Sequence, residues 1–191
     1  MRVVPYTSEH ADELRTVCIG TASERARSDA THAAFTLLMY CDPYLEHGVA
    51  YMLLDNEDVA RGYVLCAEDF DAWRSAFEPY RKQIEALGPE YAGRVADELA
   101  YYESVKDTYP AHLHIDILEP YTGGGNGRKL MDTLLDRLRS DGVAGVSFGV
   151  AASNARAIGF YEHMGFKRLI AYGEGEGDNN EPGGYTFGMR L

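Results

Sequence analysis

Three side chains able to exchange protons or bind a metal stand at alternate positions in His112-Leu113-His114-Ile115-Asp116. With Ile117 the alternation has the period of a β-strand, one face apolar and the other polar. His112, His114 and Asp116 therefore share one side, about 6–7 Å apart per two residues. A carboxylate between two isoleucines is expensive to bury without a purpose. Asp116 is accordingly a candidate general base with His112 and His114 as a relay; the alternative is a strand-face carboxylate that is solvated or bonded structurally. The same three could hold zinc, but ligands strung along one strand span too far without a facing residue, so no metal site is expected. Cys18, Cys41 and Cys66 lie in apolar segments with no histidine nearby, and read as buried free thiols rather than nucleophiles.

The strand leads into Thr122-Gly123-Gly124-Gly125-Asn126-Gly127-Arg128 and then a helix from Lys129 to Ser140, where Leu130, Leu134 and Leu138 recur every fourth residue beside Met131 and Leu135. Strand, glycines and helix start commonly hold a phosphate, because the first N–H groups of a helix lack internal partners and sit at the positive end of its dipole. A dinucleotide fingerprint fails, since its third glycine falls on Arg128 or Leu130, and no register supplies the Gly-Lys pair of a Walker loop. A phosphorylated cofactor is expected; a flavin or free nucleotide has no supporting motif.

The elements that must position these residues follow from periodicity. A strand at Arg2 to Pro5 precedes a helix carrying Ala11, Leu14, Val17 and Cys18, capped by Thr7 or Ser8. A second helix covers Ala30 to Tyr40 and ends before Asp42-Pro43. Val49 to Leu54 and Val59 to Ala67 form a hairpin through Asn56-Glu57-Asp58. Two helices, Phe70 to Leu87 and Pro89 to Lys106, part at Gly88-Pro89, and the first carries Phe70, Trp73, Phe77 and Tyr80 on one stripe. That stripe reads as core, or else as a lid over the site or a dimer contact. Further strands at Val143 to Val150, Phe166 to Ala171 and Tyr185 to Leu191 flank a helix from Ala155 to Met164, with an acidic loop from Gly173 to Glu181. The chain thus predicts an α/β (α+β) architecture with a mixed sheet.

The 191 residues are enough for one core, and nothing resembles a linker, so one domain over 1–191 is expected. A net charge of -12 argues against a nucleic-acid partner and suits a cationic acceptor near the site. No signal peptide or membrane-length apolar run is evident, which places the protein in the cytoplasm.

Thr122-Gly-Gly-Gly125-Asn-Gly127 resembles the pyrophosphate loop of the GCN5-related N-acetyltransferase (GNAT) family, [Q/R]-x-x-G-x-[G/A], with Thr122 in place of the usual Gln or Arg. Asn154 to Phe166 resembles that family's N-x-x-A-x-x-F-Y-x-x-x-G-F segment. Its physics is readable independently: Asn154 can cap a helix, Ala157, Phe160, Tyr161 and Met164 form an apolar stripe, and Gly165 suits a left-handed stop. Asn154, Ala157 and Tyr161 fall along one side, where they can line a slot. The likeness extends from the first strand onward except for the helix pair at about 70–107. Within the family that insertion is similar to the acetyltransferase-like domain of O-GlcNAc hydrolases and their free-standing bacterial relatives.

The resemblance implies a GNAT fold of about seven strands, splayed in a V between the fourth and fifth, with the extra helix pair inserted before the fourth. It implies acetyl-CoA as cosubstrate, its pyrophosphate on Gly123, Gly124, Gly125, Asn126, Gly127 and Arg128, and its pantetheine paired with the backbone at Ile117 and Leu118. It further implies direct attack by an amine of a small molecule or protein, the N–H of Ile117 or Leu118 as oxyanion donor, and Tyr161 as the acid that protonates the thiolate. From periodicity alone Tyr161 reads first as a core aromatic on the helix stripe, and it is the two motifs together that turn the reading toward the acid. The competing function is a catalytically weak or inactive relative that binds CoA or another protein.

Overall fold

The computed structural model describes residues 1–174 and 182–191. Most of the acidic loop expected at Gly173 to Glu181 lies outside the described residues.

Seven strands form one sheet: β1 Arg2–Pro5, β2 Val49–Leu54, β3 Ala60–Ala67, β4 Ala111–Ile117, β5 Gly145–Ala151, β6 Lys167–Glu174 and β7 Pro182–Arg190, in the order β1-β2-β3-β4-β5-β7-β6. Every neighbouring pair is antiparallel except β4 and β5. That parallel pair holds register only at Ala111↔Val146 and His112↔Ser147. Beyond it the strands part, which is the V-shaped splay.

Among the described residues eight α-helices cover the two faces: α1 Ala11–Thr21, α2 Glu24–Ser28, α3 Ala30–Tyr40, α4 Asp42–His47, α5 Phe70–Leu87, α6 Pro89–Val105, α7 Asn126–Ser140 and α8 Ala155–His163. Strand alternation divides the core in two. Val64, Cys66 and Leu113 face α7 and α8, together with Leu130, Leu134 and Tyr161. Tyr63, Leu65 and Ala67 face α1 and α3 to α6. The aromatic stripe of α5 belongs to this second core, with Phe70, Trp73, Phe77 and Tyr80 all buried, and each ring so covered contributes about 1.5–3 kcal/mol. It is packing rather than an open lid or contact surface.

One local expectation is corrected. No side chain caps α1; a short tight helical turn over Ser8–His10 leads into it, and neither Thr7 nor Ser8 makes the cap. α3 ends at Tyr40 as expected, and Asp42-Pro43 then opens α4, with the proline in its first turn where its missing N–H costs nothing. Among the described residues no helix is long and apolar enough to cross a membrane.

Candidate active site

A cleft of about 580 Å³ opens at the splay, walled by Ile115, Asp116 and Ile117 of β4, by the glycine loop and start of α7, and by Asn154, Ala157, Phe160 and Tyr161 at α8. The residues drawn from the two motifs thus meet in one place. Gly123, Gly124 and Gly125 have φ of 86°, 55° and 77°, a left-handed run that other residues adopt only with strain. The backbone N–H groups of Gly123, Gly124, Gly125, Gly127 and Arg128 donate to no described backbone carbonyl, whereas that of Asn126 bonds Gly123 and that of Lys129 bonds Gly125. This leaves a concave set of free donors at a helix N-terminus, the arrangement a pyrophosphate fits.

Thr122 uses its hydroxyl locally, donating to the Glu119 carbonyl at 2.9 Å, and so closes the turn before the loop. Asn126 is likewise structural in its side chain, which donates to Tyr121 O at 3.0 Å. Arg27, Arg128 and Arg156 line the same cleft against Asp116 and Glu119. In a chain of net charge -12, this is a local excess of positive charge suited to phosphates. Nothing in the motif spacing pointed to Arg27 or Arg156; they arrive from α2 and α8 through the fold.

Register decides between the two backbone donors named from the sequence. The Leu118 N–H donates to the Arg61 carbonyl at 2.9 Å, so it points at β3 and is not free for an oxyanion or a pantetheine. Neighbouring residues of an antiparallel strand point their N–H groups to opposite edges. Ile117, paired across from Gly62, therefore turns its N–H and C=O toward the splay.

Asp116 accepts a hydrogen bond from the Tyr63 hydroxyl at 2.6 Å. Burial raises its carboxyl above the ordinary carboxylate range, while the Tyr63 and Thr21 hydroxyls pull it part of the way back. It is half-buried and borders both the cleft and an adjoining second cavity of about 330 Å³, which also shares Thr21. Of the readings open to it, Asp116 is thus a bonded strand-face carboxylate that also borders the cleft. Tyr161, 8% exposed, is held among Phe148, Phe160 and Phe166 at ring separations of 4.5, 5.2 and 6.1 Å. Burial and then the Asp116 charge raise its phenol well above the ordinary value, so it keeps its proton. Asn154 caps α8, its side chain accepting from Ala157 N at 3.1 Å.

His112 is not brought to the cleft. The polar side of β4 faces the helical layer, and His112 is 1% exposed among Tyr102, Trp73, Tyr44 and Phe70 at ring separations of 4.3, 4.6, 5.5 and 5.9 Å. Among the described residues neither ring nitrogen has a partner. Burial, then the neighbouring His114, push it down to about 3; a histidine so sealed cannot relay protons to water.

A family model described as the acetyltransferase (GNAT) family matches residues 19–166, and the chain belongs to that family. It is 37% identical over 71 residues to a mycothiol acetyltransferase of Beutenbergia cavernae, covering 37% of this chain and 24% of that protein. It is 48% identical over 54 residues to the [ribosomal protein bS18]-alanine N-acetyltransferase of Escherichia coli K12, covering 28% of this chain and 36% of that one. The chain thus spans well under half the length of these curated relatives. Among solved structures, that of SsHAT is similar over 99% of this chain and 97% of its own, at 25% identity and a TM-score of 0.79.

Proposed function

We propose that residues 1–191 act as one acetyltransferase domain, moving the acetyl group of acetyl-CoA to an amine by direct attack. The observation that carries this reading is the common cleft: the free N–H groups of the glycine loop, the Ile117 edge, Asp116 and Tyr161 all open onto it. Acetyl-CoA brings an acyl carbon already activated as a thioester, so the chain has only to orient, deprotonate and protonate.

The loop N–H groups from Gly123 to Arg128 and the three arginines bind the phosphates. Ile117 offers its N–H at the open edge, where a developing oxyanion gains most from a fixed donor. Asp116 takes a proton from the acceptor ammonium, directly or through a water, leaving the amine free to form the C–N bond. Tyr161 offers its hydroxyl to the departing thiolate. Its raised phenol stays protonated until that moment, and since the thiolate, whose conjugate acid has a pKa of about 8.5, is a weaker base than the phenolate, a hydrogen bond already in place serves where full transfer is uphill. His112 takes no part.

Isothermal titration of acetyl-CoA with a parallel measurement of CoA release tests the reading. Saturable binding with release dependent on an added amine is expected, whereas no binding at millimolar acetyl-CoA would overturn it.

A further inference from the structure

The second cavity adjoins the cleft at Asp116 and Thr21, so a molecule lying in it would have one end at the candidate base. Its wall can be followed outward from there. Asp116, half-buried, shares a face of β4 with His114, two residues back along the strand. The His114 ring lies 4.7 Å from Tyr40 of α3, and Tyr40 lies 6.0 Å from Phe35, edge to face. Over Phe35 stands Arg94 of α6, its guanidinium carbon 6.0 Å from the ring centroid. All five border the cavity. Arg94 is exposed, which puts it on the solvent side, at the mouth.

This wall carries one carboxylate and one cation, Asp116 and Arg94. Its two histidines are neutral near pH 7: burial pushes His114 down to about 4, and burial, then Arg25 and Arg94, lower His32. Between the charged ends the polar groups are taken up locally. The Thr36 hydroxyl donates to the His32 carbonyl at 2.8 Å, and the Ser23 hydroxyl accepts from Ala26 N at 3.3 Å. What remains along the middle is the faces of Tyr40 and Phe35, which suit methylene groups. At the mouth the Arg94 guanidinium makes no ion pair among the described residues, and Glu90, one turn before it on α6, is held by Arg25 at 2.8 Å. An arginine fork without a carboxylate partner matches the geometry of an incoming one. The net charge of -12 would by itself turn anions away, so a cation at this mouth favours what the rest of the surface repels.

We propose that Arg94 is a specificity residue whose guanidinium holds a carboxylate at the far end of the acceptor, so that this chain selects short ω-amino acids over simple amines and diamines. The ammonium of such a molecule meets Asp116, and its methylenes lie along Tyr40 and Phe35. The proposal rests on the acetyl-transfer reading, since it is that reading which makes Asp116 the place where the reacting nitrogen sits. It also gives the inserted helix pair a part in the reaction, because α6 is the element that brings Arg94.

Calorimetric titration onto the protein holding CoA tests it, with aminobutanoate and aminohexanoate set against butylamine and diaminobutane. At least one of the two amino acids should bind about five-fold or more tightly than butylamine, as expected of a charge-assisted fork at an exposed position, and diaminobutane should bind more weakly than that amino acid. Arg94→Gln should remove the preference while leaving butylamine binding and the thermal shift by CoA unchanged. Arg94→Lys, which keeps the charge and loses the fork, should retain part of it. Equal binding of amino acids and butylamine, tighter binding of diaminobutane, no saturable binding of either amino acid at millimolar concentration, or a preference that survives Arg94→Gln overturns the proposal. Failure of CoA itself to bind counts against the acetyl-transfer reading; the four probes are then titrated onto the chain alone and judged by the same preference.

Discussion

The Tyr63 hydroxyl donates to Asp116 Oδ2 at 2.6 Å, and the two residues are register partners across β3 and β4. The contact joins an aromatic of the early hairpin to the one carboxylate that borders both cavities. Because Tyr63 is fully buried, its hydroxyl is fixed and favours the ionised acid. A base must be deprotonated to act, so turnover should rise with pH through the raised pKa of Asp116. Tyr63→Phe removes a bond that lowers that pKa, and the acidic limb of kcat/KM should move to higher pH. With one acceptor used for both proteins, the acceptor's own titration cancels. An unmoved limb in a folded Tyr63→Phe protein would remove Asp116 as the base.

For Tyr161, separation of binding from turnover is decisive. Tyr161→Phe keeps the ring among Phe148, Phe160 and Phe166 and deletes only the proton donor. Acetyl-CoA affinity should hold while kcat falls on the order of a hundred-fold, the usual scale for one general acid. Normal turnover would return Tyr161 to a packing role.

Substitutions at Gly125 separate strain from obstruction. A Cβ there meets nothing within 4 Å, but φ is 77°, so Gly125→Ala should cost about 1–2 kcal/mol of stability through the backbone alone. It should still bind acetyl-CoA. Gly125→Trp would fill the space before the free N–H groups and should abolish the thermal shift given by saturating acetyl-CoA. Equal shifts in both variants would place the phosphates elsewhere.

These residues show which parts of the molecule were open to sequence reading. Local periodicity located every strand and the longer helices, and Asn154 and Gly165 mark the ends of α8 because a cap and a left-handed stop are local chemistry: the side chain does accept from Ala157 N, and Gly165 has φ 95°. Two helices of five and six residues, α2 and α4, are too short to show a period. Alternation along β4 shows that its faces differ, but not that helices rather than water cover the polar one; that choice misplaced His112. Tyr63 and Arg27 carry no motif, and each gains its place only when register and packing bring distant segments together.

The burial of His112 has a cost that titration can read. Its folded pKa of about 3 and that of His114 at about 4, both lowered chiefly by burial, lie below the unfolded value near 6.5. Between those limits the unfolded chain binds protons that the native state refuses. Stability is therefore fully present above pH 6.5 and declines as the pH falls, by about 1.4 kcal/mol per pH unit for each histidine, with His114 levelling off near 4 and His112 near 3. His112→Phe removes one of the two titrations and two buried nitrogens without partners. Denaturant unfolding at several pH values should show the variant at least as stable as the parent at pH 7, and its loss between pH 6 and 4 reduced by about 1.4 kcal/mol per unit. A parent and variant with parallel pH curves would mean that His112 is reached by water, and would reopen its role as a relay.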